Sequence, residues 1–208
     1  TTDDTTSYYV DEAFDETIFQ WDTLFMMMFD KYGIHEFPTL NSMDNFYYHQ
    51  TDAEDDSDGY ICRRINQSNG QLSYSNYLTV DAINPPMFAW AEWEQYQIHG
   101  DLSRFTKKVK EKAIIDRLDA YWQFIKRTRT HKSGPAKGLY VSNGQGNGLD
   151  NTPNQDWNGW GQAANDMSIQ QVQAAHYLVR ILEEILAKDE TLTPADRTKY
   201  QEMKEKYQ

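Results

Sequence analysis

A short loop motif near residue 150 carries the side chain best suited to acid catalysis. Asp150 lies in the segment Asn147–Pro153, in which Gly148 lets the backbone approach a ligand closely and Pro153 fixes the exit of the loop. A carboxyl group in such a loop can protonate a leaving oxygen, as one of two carboxyl groups does when a glycosidic bond is cleaved. An Asx turn that uses Asp150 only to shape the backbone explains the same residue without chemistry.

Two further segments combine a polar side chain with aromatic rings. Asp22 follows Trp21 at the start of a helical pattern, so its carboxylate can bind sugar hydroxyls while the indole forms an apolar platform. Capping of the helix is the alternative role of Asp22. Asn84 precedes a proline pair and a helical pattern containing Trp90, which can supply another wall of a site. Tryptophans at helical spacing are also common in cores.

The acidic segment 52–59 and the glycines near residue 146 do not match known ion or nucleotide sites. If Gly59 takes the glycine position of an EF-hand loop, the final bidentate position falls on Ile65. No Lys-Ser or Lys-Thr pair follows the glycines at 144–148, as a phosphate-binding loop requires. The 5 histidines show no pairing suitable for zinc. We therefore expect no metal and no cofactor.

Helical periods dominate the chain, and alternating strand patterns are short and few. Between two of the helical patterns lies a Gly- and Asn-rich segment, 133–161, of a length that in compact domains either builds a site or is disordered. Trp157 and Trp160 argue against disorder. The predicted helices are Trp21–Tyr32, Leu40–Gln50, Pro85–His99, Leu102–Arg129 with a break near Lys110, one that follows Ser168, and a last one from Thr193 onward. Ser168 is expected to cap the helix that follows it. The expected buried face of that helix consists of Ile169, Val172, His176, Val179, Leu182 and Leu186.

Composition narrows the classes of partner. The formal charge of −12 disfavours a nucleic-acid-binding face or attraction to anionic lipid. No apolar run approaches the roughly 20 residues of a membrane-spanning helix. With 6 Trp, 14 Tyr and 9 Phe, the chain has rings that can stack on sugars or fill a core. The single cysteine, Cys62, excludes an internal disulfide, and we expect it to pack in the core.

Taken in order, these motifs resemble glycoside hydrolase family 63 and its bacterial relatives, including mannosylglycerate-hydrolase-like enzymes, with trehalases as more distant relatives. The similarity extends over nearly the whole chain, and its most specific part is Gly148–Pro153, which resembles the family's Gly-Leu/Met-Asp-Asn-Ser-Pro segment. The other matching segments are Gln20–Thr23, Gly59–Arg63, Asn84–Trp90, Gly138–Tyr140 and Asp166–Gln170.

The resemblance implies an all-α fold that forms part of an (α/α)6 toroid built of helical hairpins. It also implies inverting hydrolysis of an α-glucoside or α-mannoside, with Asp150 as the general acid and a carbohydrate as the partner. Asp22 would then contact sugar hydroxyls, with Trp21, Asn151 and Trp157 as further lining. Asn84 and Trp90 remain candidates for another wall of the sugar site.

Two departures from the family pattern affect these expectations. Asn154 stands where relatives often carry an arginine, which puts in doubt a charged aglycone such as glycerate. The family's catalytic base is a glutamate on a later part of the barrel, and no acid in this chain stands in a matching context. We therefore expect residues 1–208 to be one partial catalytic domain that is completed by the remaining part of the same barrel.

Two alternatives stay open at this point. The chain can be a non-catalytic carbohydrate-binding or structural toroid segment that keeps the aromatic rings without the chemistry. It can also be a sugar epimerase or lyase on the same fold, which would use a histidine or tyrosine as its base and would not need Asp150.

Overall fold

The computed structural model describes residues 9–10, 16–147 and 162–208. The described part of the chain is mostly helical, at 54%, with few and short strands, which is compatible with the predicted all-α class. The described helices are α1 Gln20–Asp30, α2 Thr39–Tyr48, α3 Phe88–His99, α4 Ser103–Thr106, α5 Ile114–Thr128, α6 Gly144–Asn147, α7 Asn165–Lys188 and α8 Pro194–Tyr207. The strands are β1 Thr17–Phe19, β2 Arg64–Asn66, β3 Lys108–Val109, β4 Lys112–Ala113, β5 Val141–Ser142 and β6 Gln162–Ala163, paired antiparallel as β1–β2, β3–β4 and β5–β6.

Local signals set several of the helix ends, as the sequence predicts. Gly100 follows α3 in the left-handed conformation, with φ of 67°, and its N–H donates to the Tyr96 carbonyl oxygen at 2.8 Å. Thr193 caps α8 by accepting from the Asp196 N–H at 3.1 Å, and Pro194 occupies the first turn. The predicted break near Lys110 is confirmed: Lys110 has φ of 53° in the turn between β3 and β4.

The predicted cap and buried face at the start of α7 are wrong. The helix begins at Asn165, so Ser168 lies in its first turn and donates its hydroxyl to a backbone carbonyl one turn earlier. Ile169 and Val172 are 67% and 70% exposed, and His176 is exposed instead of lying in a helix interface. The buried residues of α7 are Met167, Gln171, Ala174, Leu178, Ile181, Leu182 and Ile185.

A polar side chain lies within the face that α7 buries. Gln171 exchanges two hydrogen bonds with Trp122 of α5: the indole N–H donates to the Gln171 carbonyl oxygen, and the Gln171 amide donates to the Trp122 carbonyl oxygen, both at 2.9 Å. The other buried residues of α7 are apolar and recur at spacings of three and four. The sequence of α7 thus carries two overlapping apolar patterns, and the one that includes Ile169 and Val172 is not the buried one.

The core lies between α1, α3, α5 and α7. α1 packs against α2 and α3, and α7 packs against α3, α5 and α8. Cys62 is buried in this core, as predicted, with its thiol donating to the Arg64 carbonyl oxygen at 3.1 Å. Among the described residues, no helix combines the length and the apolar character that crossing a bilayer requires.

A buried ionic network joins α2, α3 and α4. The guanidinium of Arg104 donates to both carboxylate oxygens of Glu92, at 3.0 and 2.7 Å, and to Asp44 at 2.6 Å. Lys107 donates to the second oxygen of Asp44 at 2.7 Å, and the Tyr47 hydroxyl donates to Glu92 at 3.0 Å. Two cations therefore balance two carboxylates.

Three of the four charges of this network are deeply buried, and Lys107 is half-exposed. Glu92, Asp44 and Arg104 are 0%, 1% and 6% exposed. Burial by itself lowers the pKa of Arg104, but Glu92 and Asp44 outweigh it and hold that pKa above its usual range. Arg104 thus stays charged. Because removing one partner strands a buried charge, the network requires all its members.

Gly59 is needed for the close packing of the following segment on α5. It has φ of 83°, and a Cβ atom built on it would lie 2.2 Å from the Ala120 carbonyl oxygen. Its own N–H and carbonyl oxygen bond to the Thr51 carbonyl oxygen at 2.9 Å and the Gln50 amide at 3.0 Å. Backbone contact with α5 therefore fixes the course of the segment that ends at Arg63.

We predict that Glu92→Gln lowers the free energy of unfolding by about 3–5 kcal/mol, because Arg104 loses one of its two compensating charges inside the core. Urea unfolding followed by circular dichroism measures the change. The control is Lys199→Met, which removes a half-exposed ion pair with Asp116 and should cost less than about 1 kcal/mol. Equal midpoints for wild type and Glu92→Gln would contradict this account of the core.

We also predict that Gly59→Ala is much more destabilising than Gly100→Ala. Both glycines have positive φ, but a Cβ at Gly100 meets no atom within 4 Å, so only the conformational cost of roughly 1–2 kcal/mol applies there. At Gly59 the clash with Ala120 adds about 1–3 kcal/mol of overpacking. Thermal unfolding of the two variants checks the order, and equal losses would show that α5 moves away without cost.

Candidate functional site

The first turn of α1 is capped by residues that are distant in the sequence. The residue before α1, Phe19, offers no side-chain cap. Instead, the Gln20 N–H donates to the Arg63 carbonyl oxygen at 2.8 Å, and the Trp21 N–H donates to Asn84 Oδ1 at 3.2 Å. Two of the N–H groups that a helix start leaves unpaired are thereby satisfied. The segments around Trp21, Arg63 and Asn84 meet at this point.

Asn84 connects α1 to the turn α6. It follows the 3-10 turn Val80–Ala82 and precedes Pro85. While its Oδ1 accepts from Trp21, its Nδ2 donates to the Gly146 carbonyl oxygen at 2.7 Å. The side chain is 3% exposed, so both ends of the amide are used inside the protein.

The hydroxyl of Tyr121, in α5, forms hydrogen bonds with two residues of the same junction. Its hydroxyl donates to the Asn84 carbonyl oxygen at 2.8 Å and accepts from Gln20 Nε2 at 3.2 Å. The Gln20 amide also lies 3.4 Å from the Pro85 carbonyl oxygen. Burial raises the pKa of Tyr121 above its usual range, so the phenol keeps the proton that it donates to Asn84.

Arg63 reaches the turn α6 from the other side. Its guanidinium donates to the Gln145 carbonyl oxygen and, at 2.8 Å, to the Tyr74 hydroxyl. The Tyr74 hydroxyl in turn donates to Asp81 Oδ2 at 3.1 Å, and Arg63 lies 3.8 Å from the same carboxylate. The Arg63 N–H also donates to the Ala82 carbonyl oxygen at 2.7 Å, just before Asn84.

The turn α6 is also held at its two ends. Asn143 Oδ1 accepts from the Gly146 N–H at 2.8 Å, and the Asn143 carbonyl oxygen accepts from the Asn147 N–H at 3.1 Å. The Asn147 amide donates to Asp166 Oδ2 at 2.6 Å in the first turn of α7. Four of the motifs quoted from the sequence therefore contact one another around the turn that leads into residue 148.

An aromatic surface lies beside this junction and consists of Trp21, Phe25 and Trp90. The ring centroids of Trp21 and Phe25 are 4.8 Å apart, and those of Phe25 and Trp90 are 6.3 Å apart, both in edge-to-face geometry. Trp21 and Trp90 are half-buried, and Phe25 is 37% exposed. These rings are thus not simply filling the core.

Not all predicted site residues fall within the described part of the chain. Asp150, Asn151 and Trp157 lie outside the described residues. Asp22 lies half-buried in the first turn of α1 next to Trp21. Phe19 holds the N-cap position of α1, and Asp22 is the acidic residue of its first turn.

The acidic segment 52–59 contacts cations of β4 and α5. Asp52 pairs with Arg117 and with Lys112, both at 2.8 Å, and Asp58 lies 3.4 Å from Lys112. Hydrogen bonds from Lys112 and Arg117 hold the pKa of Asp52 below its usual value, although burial opposes them. Within residues 9–10, 16–147 and 162–208, no group of three potential ligands is placed to hold a metal ion.

Comparisons of the chain with protein-family models, with curated proteins and with solved structures gave no match. The function is therefore argued from the site itself.

Part of the polar junction was not predicted from the sequence. Tyr121 gave no signal beyond helical periodicity, because its partners are separated from it by many residues. Gln20 and Arg63 were quoted only as parts of motifs, and Asn84 as part of a motif and as a possible ligand contact. A buried asparagine before a proline pair is the one feature that indicates a backbone-binding role, since a buried amide needs partners at both ends.

Proposed function

We propose that this chain is part of an inverting α-glycoside hydrolase of the α-glucosidase or α-mannosidase type. The observation that supports this most is the meeting of the motifs around Trp21, Arg63, Asn84 and Asp166 at the turn α6. Four hydrogen-bonded segments from distant parts of the sequence meet at the turn that precedes Asp150. A loop that is held by contacts from several segments is expected to carry functional residues.

In this proposal Asp150 protonates the glycosidic oxygen as the bond to the anomeric carbon breaks. A glutamate outside this chain takes a proton from water, and that water attacks the anomeric carbon from the opposite face. The leaving alcohol takes the proton of Asp150, and the glutamate takes the proton of water. This single displacement inverts the anomeric configuration. No metal or cofactor takes part in the proposed mechanism.

The aromatic surface supports a carbohydrate as the substrate. Sugars present apolar C–H faces that pack on exposed aromatic rings, and their hydroxyls bind carboxylates and amides. We assign Trp21 and Trp90 to such packing, with Asp22 as a hydroxyl contact beside them. On the basis of the resemblance to family 63, we propose Asn151 and Trp157 as further contacts with the sugar.

We further propose that the helices form part of an (α/α)6 toroid completed by the remaining part of the barrel. Ile169 and Val172 stand exposed on α7, next to an apolar groove of about 500 Å3 lined in part by Trp122, Tyr140 and Val179. Burying one such aliphatic side chain contributes roughly 1.5–3 kcal/mol. Packing of a further helical hairpin on this face of α7 supplies that burial.

A non-catalytic carbohydrate-binding segment is the second candidate. The aromatic surface favours it, because rings that stack on a sugar do not require Asp150. An epimerase or lyase of the same fold is the third candidate. Burial raises the pKa of Tyr60 and of Tyr121, so these two phenols stay protonated and would not serve as its base.

We predict that Asp150→Asn in the full-length protein lowers glycoside turnover by at least about 100-fold, because the amide cannot protonate the leaving oxygen. An aryl glycoside with a good leaving group should lose much less, since its departure needs little protonation. The measurement is kcat on both substrates. Asp56→Asn, in the exposed acidic segment, is the matched control and should leave both rates unchanged. Equal losses on the two substrates would argue against an acid role.

We also predict that the first sugar released has the inverted anomeric configuration. The two carboxyl groups of an inverting enzyme are separated by roughly 6.5–9.5 Å, which leaves room for the attacking water. Proton NMR of the product within the first minutes, before mutarotation, reads out the anomer. A retained anomer would rule out the single displacement and point to a covalent intermediate.

A further inference from the structure

Two consecutive backbone carbonyls of the turn α6 are each held by a side chain from another part of the chain. Arg63 donates to the Gln145 carbonyl oxygen, and Asn84 donates to the Gly146 carbonyl oxygen at 2.7 Å. A charged guanidinium and a buried amide thus fix adjacent peptide groups from two directions. Carbonyls in an ordinary surface turn bind water, so this pair of contacts is a specific restraint on the turn.

The turn has little freedom to move within this restraint. A Cβ atom built on Gly146 would lie 3.2 Å from Asn143 Oδ1, 3.2 Å from Ser142 Oγ and 3.4 Å from the Ile83 carbonyl oxygen. Gly146 is buried, as are Asn84 and Asn143. Its absent side chain therefore allows the chain to lie directly against the backbone that carries Asn84.

Both holding side chains are themselves fixed. Asn84 is 3% exposed, and its Oδ1 is occupied by the Trp21 N–H. Arg63 is oriented by the Tyr74 hydroxyl and lies 3.8 Å from the Asp81 carboxylate. The two terminal nitrogens of Arg63 and Asn84 Nδ2 each donate to an internal acceptor, whereas the buried Arg63 Nε has no hydrogen-bond partner among the described residues.

We propose that Arg63 and Asn84 are positioning residues, which hold the turn α6 and thereby set the place of the acid that follows it. The catalytic part of this inference rests on the proposed function, in which Asp150 is the general acid three residues beyond the turn. A general acid acts only when its oxygen is near the glycosidic oxygen, and a misplacement of about 1 Å can cost about 100-fold in rate. Asn84 thus acts through the backbone and does not bind sugar.

The restraint itself is tested by hydrogen exchange and needs no substrate. The reporters are the amides of Gly146 and Asn147, which are protected by Asn143. Arg63→Met keeps the aliphatic stem and removes the guanidinium, and we expect these amides to exchange about tenfold faster, the effect of one charge-assisted hydrogen bond. Arg64→Met is the matched control, because the Arg64 guanidinium faces the rings of Phe19 and Tyr74.

The exchange rates of the Gly146 and Asn147 amides have two informative outcomes. Faster exchange in Arg63→Met, with Arg64→Met equal to wild type, supports the restraint. Unchanged exchange in Arg63→Met overturns it. Asn84→Ala is the second variant, and Arg63→Lys should restore part of the protection because its ammonium group can still donate to the Gln145 carbonyl oxygen.

The catalytic part is tested by the dependence of turnover on the leaving group in the full-length protein. For Arg63→Met we expect kcat to fall at least about tenfold on a poor leaving group, to change little on a good one, and KM to stay near wild type. A rise in KM with equal losses on both substrates overturns the positioning role, since that pattern marks a direct sugar contact. A wild-type protein without glycosidase activity overturns the proposed function, whereas the exchange experiment still decides whether the turn is held.

Discussion

The arrangement of the helices depends on the charges buried between α2, α3 and α4. Taking Arg104, Glu92 and Asp44 out of water is expensive, and the cost is offset only when nearly every donor and acceptor is paired. The bidentate contact with Glu92 and the single contact with Asp44 join α4 to α3 and to α2 through directional hydrogen bonds. Apolar residues such as Phe46 and Phe88 fill the surrounding space without imposing that geometry.

Because α3 is fixed in this way, the segment before it is fixed as well. Asn84 lies four residues ahead of Phe88, and the proline pair between them leaves little freedom. The segment 59–63 is placed separately, because the close contact of Gly59 with Ala120 of α5 determines the position of Arg63. The helical layers thus act as a support from which two loops extend, and the polar ends of these loops bind the turn α6.

Sequence signals sufficed for the parts of the fold that are set locally. Gly100 after α3 and Thr193 before α8 determine helix ends through their own backbone and hydroxyl chemistry, so both were predictable. The buried face of α7 was not, because two apolar patterns overlap along this helix and the contacts of Gln171 with Trp122, which lie on the buried face, are made with another helix. The junction at Asn84 was not predicted either, because the partners of Asn84 belong to α1 and α6.

The same distinction applies to the motif residues that suggested a sugar site. A motif marks residues that a site needs, but it does not separate side chains that touch a ligand from side chains that hold the backbone. Asn84 has both amide ends bound to backbone groups, and Arg63 has a carbonyl and a phenol as acceptors. Trp21 differs, since only its backbone takes part in the junction while its ring stays half-exposed beside Phe25. The ring of Trp21 is therefore open to the sugar of the proposed site, whereas Arg63 and Asn84 hold the turn α6.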